Sequence, residues 1–345
     1  MMKNFSIFTV VLLCCLSMLM WGCGKNDSAE NESSPVPEPE PIYCPLDHEV
    51  IDAMPNRVFA VAIDNGPKAE PQTNLDEADL VFEVPVEGGI NRFLALYYHN
   101  QPDVIGPVRS ARHYFIDLIQ AFDGIYVHCG GSEQAYEALE GIEDIDEMAA
   151  SSTFWRDNSR NAPVNLYTSW EKLNEKTVEN GWNDSRSIPA FAFYGDEESA
   201  ALAQGDATEI SIPYTYKSVG YTWDDTQNCY LRSSDGSPHV DNESGETLKA
   251  DNIVTMNIST RVIDDKGRLD MSFAGNSGSG YLFQKGNVQE ITWSMESSGS
   301  PLVFTLADGS AAQLLPGHTF IQVVPNQLTV THNGTLSDTS AEGVE

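Results

Sequence analysis

Residues 105–132 read IGPVRSARHYFIDLIQAFDGIYVHCGGS, and this run carries the signals of a helix followed by a strand. After Pro107, Ser110 has the side chain of an N-cap, and Ala111, Tyr114, Phe115, Leu118, Ile119 and Phe122 recur at the spacing of a helix with one buried face. Gly124 supplies a C-cap, and the apolar run 125–129 reads as a buried strand. Strands alternating with such helices predict an α/β domain, a mixed sheet with flanking helices.

The charges at the start of this helix run against its dipole. The positive end of the macrodipole favours Asp or Glu, yet Arg109 stands just before the cap and Arg112 in the first turn. Two arrangements relieve the repulsion. One is a bound small anion, phosphate or carboxylate, held by Arg92, Arg109, Ser110 and Arg112 with Arg160 and Asn165 as further donors. The other is an acidic side chain brought in from elsewhere, with Glu83 and Glu87 the nearest in sequence.

Working outward, residues 58–63, VFAVAI, read as a central strand ending at Asp64 and a DNGP turn. LVFEVPV from 80 and RFLALYY from 92, joined by EGGIN, form an antiparallel hairpin in which Pro85 points to a bulge or an edge position. After residue 129, a glycine turn precedes Ala135, Leu139 and Ile142 at helical spacing, and Ser169 caps a helix over 170–180. His128 alternates with Tyr126 and faces either the cavity of the arginines or a core that satisfies its ring. The polar, aromatic run 154–167 either meets a ligand through Arg160 and Asn165 or ties the loop to the body.

Beyond residue 203 the pattern changes to short alternating strands, with Asp-Gly and Lys-Gly turns at 235, 266, 285 and 308. The expected layout is therefore an α/β domain over 46–202, a smaller β-rich domain over 203–328 and a flexible polar tail over 329–345. His239 and Asp241 share one turn, too few donors to predict a metal centre.

At the other end, residues 1–22 carry Lys3 and a short apolar run, the features of a secretory signal. The run closes in LMWGC, which resembles a lipobox and marks Cys23 for lipidation. Residues 23–45 then form a Ser-, Glu- and Pro-rich tether. This arrangement predicts an extracytoplasmic protein on the outer face of the cytoplasmic membrane, anchored through an N-terminal lipid.

The chain of 345 residues holds 19 basic and 51 acidic residues, a formal charge of −32, which excludes a broad nucleic-acid-binding face. Cys44, Cys129 and Cys229 are far apart, and no spacing among them and the histidines predicts a metal site, so neither metal nor cofactor is expected. No nucleophile elbow, zinc-protease helix or phosphate loop occurs. As acid or base candidates, Asp64, Glu83, Glu87 and His128 remain.

The runs DEADLVFEVPVEGGINRFLALYY, IGPVRSARHYF, YVHCGGS, FWRDNSRNAPVNLY and LLPGHTFIQVVP resemble those of the YerB-like bacterial lipoproteins, a family with a domain of unknown function at each end. The resemblance covers nearly all of the mature chain. It loosens near Trp293, where the family pattern has a lysine soon after and this chain has Ser294 and Met295. A looser likeness of layout, to the LytR–CpsA–Psr phosphotransferases, transfers no residue. The family implies a tethered lipoprotein and no settled reaction. Three functional readings follow: an envelope binding or accessory module with an Arg-lined anion site, an enzyme acting on phosphorylated or glycan cell-wall precursors, and a structural partner of a membrane-bound envelope protein.

Overall fold

Strand alternation sets the architecture. In a computed structural model that describes residues 40–336, a ten-stranded mixed sheet forms the centre of the body. Cys23, the preceding signal segment and most of the tether lie outside the described residues. Along the central strand Phe59–Asp64, Phe59, Val61 and Ile63 point to one face and Ala60 and Ala62 to the other, and both faces are buried. The strand lies between Asn91–Tyr97, antiparallel, and Ile125–His128, parallel.

The hairpin forms as expected, with Leu80–Pro85 paired to Asn91–Tyr97 across Glu87–Gly89, where Gly88 and Gly89 take positive φ. Pro85 does not mark an edge. Its strand is central, pairing on its other side with Thr319–Pro325, and Pro85 sits at the very end, opposite Asn91. That is the place in a central strand where a missing N–H costs least.

Segments on both sides of residue 203 build this sheet. Asn252–Ile258, Asn276–Gln284, Asn287–Met295 and Thr319–Pro325 continue it from the strands of the hairpin. A second, six-stranded sheet, including Glu209–Ile212, Val219–Asp224 and Cys229–Ser234, covers one face: Ile210, Tyr221 and Tyr230 pack with Phe59, Phe93 and Tyr97. Thr331–His332, assigned by composition to a flexible tail, pairs with Glu209–Ile212 in that sheet.

The opposite face carries Phe115–Gln120 together with Phe273, Trp293 and Phe304. The body is thus mostly sheet, and the expected flanking helices are few and short. Trp170–Asn180, the longest at 11 residues, begins at the predicted cap Ser169 and ends at Gly181 in the left-handed region. Ser132 likewise caps Glu133–Ala138. No helix of the described residues is long and apolar enough to cross a membrane.

The helix expected from Ser110 is the main correction. It spans only Phe115–Gln120, its N-cap is Tyr114, and Ser110 caps nothing. Residues 108–111 run extended because stronger partners take their backbone: Arg109 N–H donates to Ala62 O at 2.8 Å, Ala111 N–H to Gly130 O at 2.8 Å, and Cys129 N–H to Arg109 O at 3.0 Å. Arg109 and Arg112 therefore lie on a connector stitched between two strand ends, ahead of the helix and not in its first turn.

Candidate functional site

The connector and the hairpin bring three arginines together. Asp64 and Arg92 are directly opposite each other at the ends of paired strands and share the face of Ala62 and Leu94. Arg109 follows Val108, which bridges to Ile63, and its Nε lies 3.1 Å from Asp64 Oδ2. Arg112 makes a two-pronged pair with Glu87, Nε to Oε2 at 2.9 Å and the second prong from Nη2 to Oε1. Burial pushes the Glu87 carboxyl up, but the Arg112 hydrogen bonds and charge outweigh it and hold the group below its ordinary value.

Arg92 is the member left over. Its side chain is buried, and its one hydrogen bond runs from Nη1 to the carbonyl of Ser110 at 2.8 Å. Among the described residues Nε has no partner, and no carboxylate forms an ion pair with this guanidinium. Burial, with Arg112 beside it, lowers the guanidinium to about 10. Arg109, whose side chain is 31% exposed, opens the cluster to solvent. Tyr126 OH accepts from Arg112 N–H at 3.2 Å, and Tyr114 OH donates to Pro85 O at 2.8 Å, so aromatic hydroxyls wall the inner side.

The other expected site residues separate from this group. Strand alternation turns Glu83 to the opposite face, where it pairs with Arg232 Nη2 at 2.8 Å and accepts from Asn65 and Asn91. Sequence reading gave no hint of Arg232, 149 residues away. His128 is fully buried with both ring nitrogens engaged, Nδ1 at 2.9 Å from Gly130 O and Nε2 at 3.1 Å from Asp144 Oδ2. Arg160 donates to the carbonyls of Pro71, Lys68 and Ala69 and to Tyr167 OH. Asn165 accepts from Arg156 and donates to Asp157 O and Arg160 O. Both thus tie the 154–167 loop together and to the body. His239 and Asp241 serve the fold: the histidine ring bridges Arg232 Nε and Gln72 Oε1, and Asp241 accepts from Leu75 and Glu243 N–H. Cys44, Cys129 and Cys229 are free thiols, with no disulfide among them.

Residues 47–183 match the family described as "Protein of unknown function (DUF3048) N-terminal domain", and residues 210–321 match its C-terminal domain. The chain belongs to the DUF3048 family. Among curated members it is 32% identical over 325 residues to "Putative lipoprotein YerB" of Bacillus subtilis (strain 168), a match that covers 92% of this chain and 95% of that one. The crystal structure of the Bacillus subtilis YerB protein superposes with a TM-score of 0.75, covering 84% of this chain and 99% of that one at 32% identity. In this DUF3048 chain the two matched regions are not separate sheets: strands from both lie side by side, Thr319–Pro325 against Leu80–Pro85.

Proposed function

We propose that this chain is a lipid-anchored, extracytoplasmic binding module that holds a small anionic group, phosphate or carboxylate, at Arg92 and Arg109. The observation that carries the reading is the charge count of one cluster. Arg92, Arg109 and Arg112 face Asp64 and Glu87, leaving a net positive charge within a chain of formal charge −32. Arg92 supplies the uncompensated cation, and its buried Nε–H has no acceptor among the described residues. A buried guanidinium in that state costs free energy that an oxyanion beside it recovers. A single focus of positive charge suits one small group better than a polymer backbone. The anchoring half of the reading rests on Cys23 in its LMWGC context and on the lipoprotein name of the Bacillus subtilis relative.

Calorimetric titration of orthophosphate, glycerol phosphate and acetate into the unmodified protein and into Arg92→Met and Arg109→Ala variants tests it. One anion per chain, weakened at least tenfold by either substitution, supports the site. Heats absent for all three anions with the unmodified protein sink it.

A further inference from the structure

At the opposite end of the same hairpin, Asp79 precedes Leu80 and His99 follows Tyr98, while Leu80 pairs with Leu96 and Val84 with Arg92. Five to seven residues, Asp79 to Val84 and Arg92 to His99, put this end roughly 17–24 Å from Arg92. Here the first described arm of the chain folds back onto the sheet. Ile42–Tyr43 pairs with Val50–Ile51, and the turn between them presents Cys44 and Asp47. Cys44 Sγ, Asp47, Asp79 and His99 offer one ligand atom each, all within 4.8 Å of one another.

The donors are built for a cation. Two carboxylate oxygens, Asp47 Oδ2 and Asp79 Oδ1, each lie 2.7 Å from the same nitrogen, His99 Nε2, which carries at most one proton. Both carboxylates are buried, and Cys44 is fully so. Their remaining bonds fix their orientation: Asp47 Oδ1 accepts Glu49 N–H at 3.0 Å, Asp79 Oδ2 accepts Tyr98 N–H, and Asp79 Oδ1 also accepts Asn100 Nδ2 at 3.2 Å. Leu46 N–H donates to Cys44 Sγ at 3.5 Å and holds the sulfur in place.

We propose that Cys44, Asp47, Asp79 and His99 bind a divalent transition-metal ion of the zinc type. One sulfur, one imidazole nitrogen and two carboxylate oxygens form a four-coordinate set of borderline softness, which favours zinc over calcium or magnesium. Metal–ligand bonds near 2.0–2.3 Å place tetrahedral donors about 3.3–3.8 Å apart, so the two carboxylates need only draw back from His99 by about half an ångström. Two carboxylates and a thiolate supply negative charge for Zn2+, and the Cys44 proton leaves on binding. All four ligands come from the protein, so the site fastens the 42–51 arm onto the hairpin. A surface pocket of about 650 Å3, lined by Tyr43, Cys44, His48, Met54 and Tyr98, lies beside the buried sulfur.

The test uses the full-length chain, purified without chelator, with Zn2+ and Co2+ as the probes. The expected results are one zinc per chain by elemental analysis, and a cobalt form with intense tetrahedral bands and a thiolate charge-transfer band. Cys44→Ser abolishes that band, and Cys44→Ser and His99→Gln each weaken Zn2+ binding by at least about 100-fold. A cobalt spectrum of octahedral type without the sulfur band overturns the proposal whether or not the variants fold. So does metal binding in folded Cys44→Ser at unmodified strength, which would mark an adventitious site. Neither result bears on the anion site, whose residues are separate.

Discussion

Removing Arg232 should cost this protein more than removing almost any other polar side chain. Its guanidinium is buried on the second sheet and reaches across the core to Glu83, with side chains 0% and 1% exposed. It also donates to Tyr221 OH at 2.9 Å and His239 Nδ1 at 3.0 Å and stacks among Phe93, Tyr221 and Phe320. Arg232→Met fills much of the volume but leaves Glu83 with only the amides of Asn65 and Asn91. Breaking one side of such a buried pair costs about 3–5 kcal/mol. With an unfolding entropy of ~2.1 cal/mol/K per residue over roughly 300 residues, about 4 kcal/mol lowers Tm by about 6 °C. The assay is a double-mutant cycle by denaturant unfolding with Arg232→Met, Glu83→Gln and the pair. The double variant should be more stable than the sum of the two single losses predicts, because neither charge is then stranded. A single-variant loss below about 1 kcal/mol, or strict additivity, refutes the idea that this pair joins the two sheets across the core.

Other expectations follow from named contacts. The folded Glu87 carboxyl titrates below its ordinary value, so the stability from its pair with Arg112 is present above about pH 4.3 and is lost as pH falls through the depressed folded value. The stability gap between the unmodified protein and Glu87→Gln, measured by urea unfolding from pH 7 to pH 3, should therefore stay level and then shrink; a gap that widens in acid contradicts the pairing. Ser169→Ala removes the cap that accepts Lys172 N–H at 3.2 Å and should cost about 1 kcal/mol in the same assay. Gly280→Ala would place a methyl 1.8 Å from Thr255 O, between adjacent strands, and should abolish soluble folded protein; near-normal expression and Tm would show that the strands can part there.

What the sequence made legible was local. The hairpin could be read because EGGIN forces a turn and period-two alternation fixes which residues face inward. Ser169 and Ser132 could be read because a cap acts within three residues. The helix start at Ser110 could not, since helical spacing of apolar residues reports a buried face and the backbone of 109–111 answered to Ala62 and Gly130 instead. The same limit applies to the site. Arg92, Arg109 and Arg112 were visible as cations out of place, but which carboxylate took which arginine depended on the face of each strand residue. Glu83 went to Arg232 and Glu87 to Arg112. Cys44, Asp47, Asp79 and His99 span 56 positions, and only the fold of the arm onto the hairpin makes them one cluster.

Arg92 is a buried cation whose Nε finds no acceptor among the described residues, and the proposed function places an anion beside it. The most direct test of that placement is a crystal grown at low salt and soaked with tungstate or selenate, read by anomalous scattering. The prediction is a peak within hydrogen-bond distance of Arg92 and Arg109, which competes with orthophosphate and disappears in Arg92→Met crystals. Arg92 without anomalous density, its Nε turned instead to Asp64 or Glu87, would mean that the five charged groups satisfy one another and that the cluster serves only the fold.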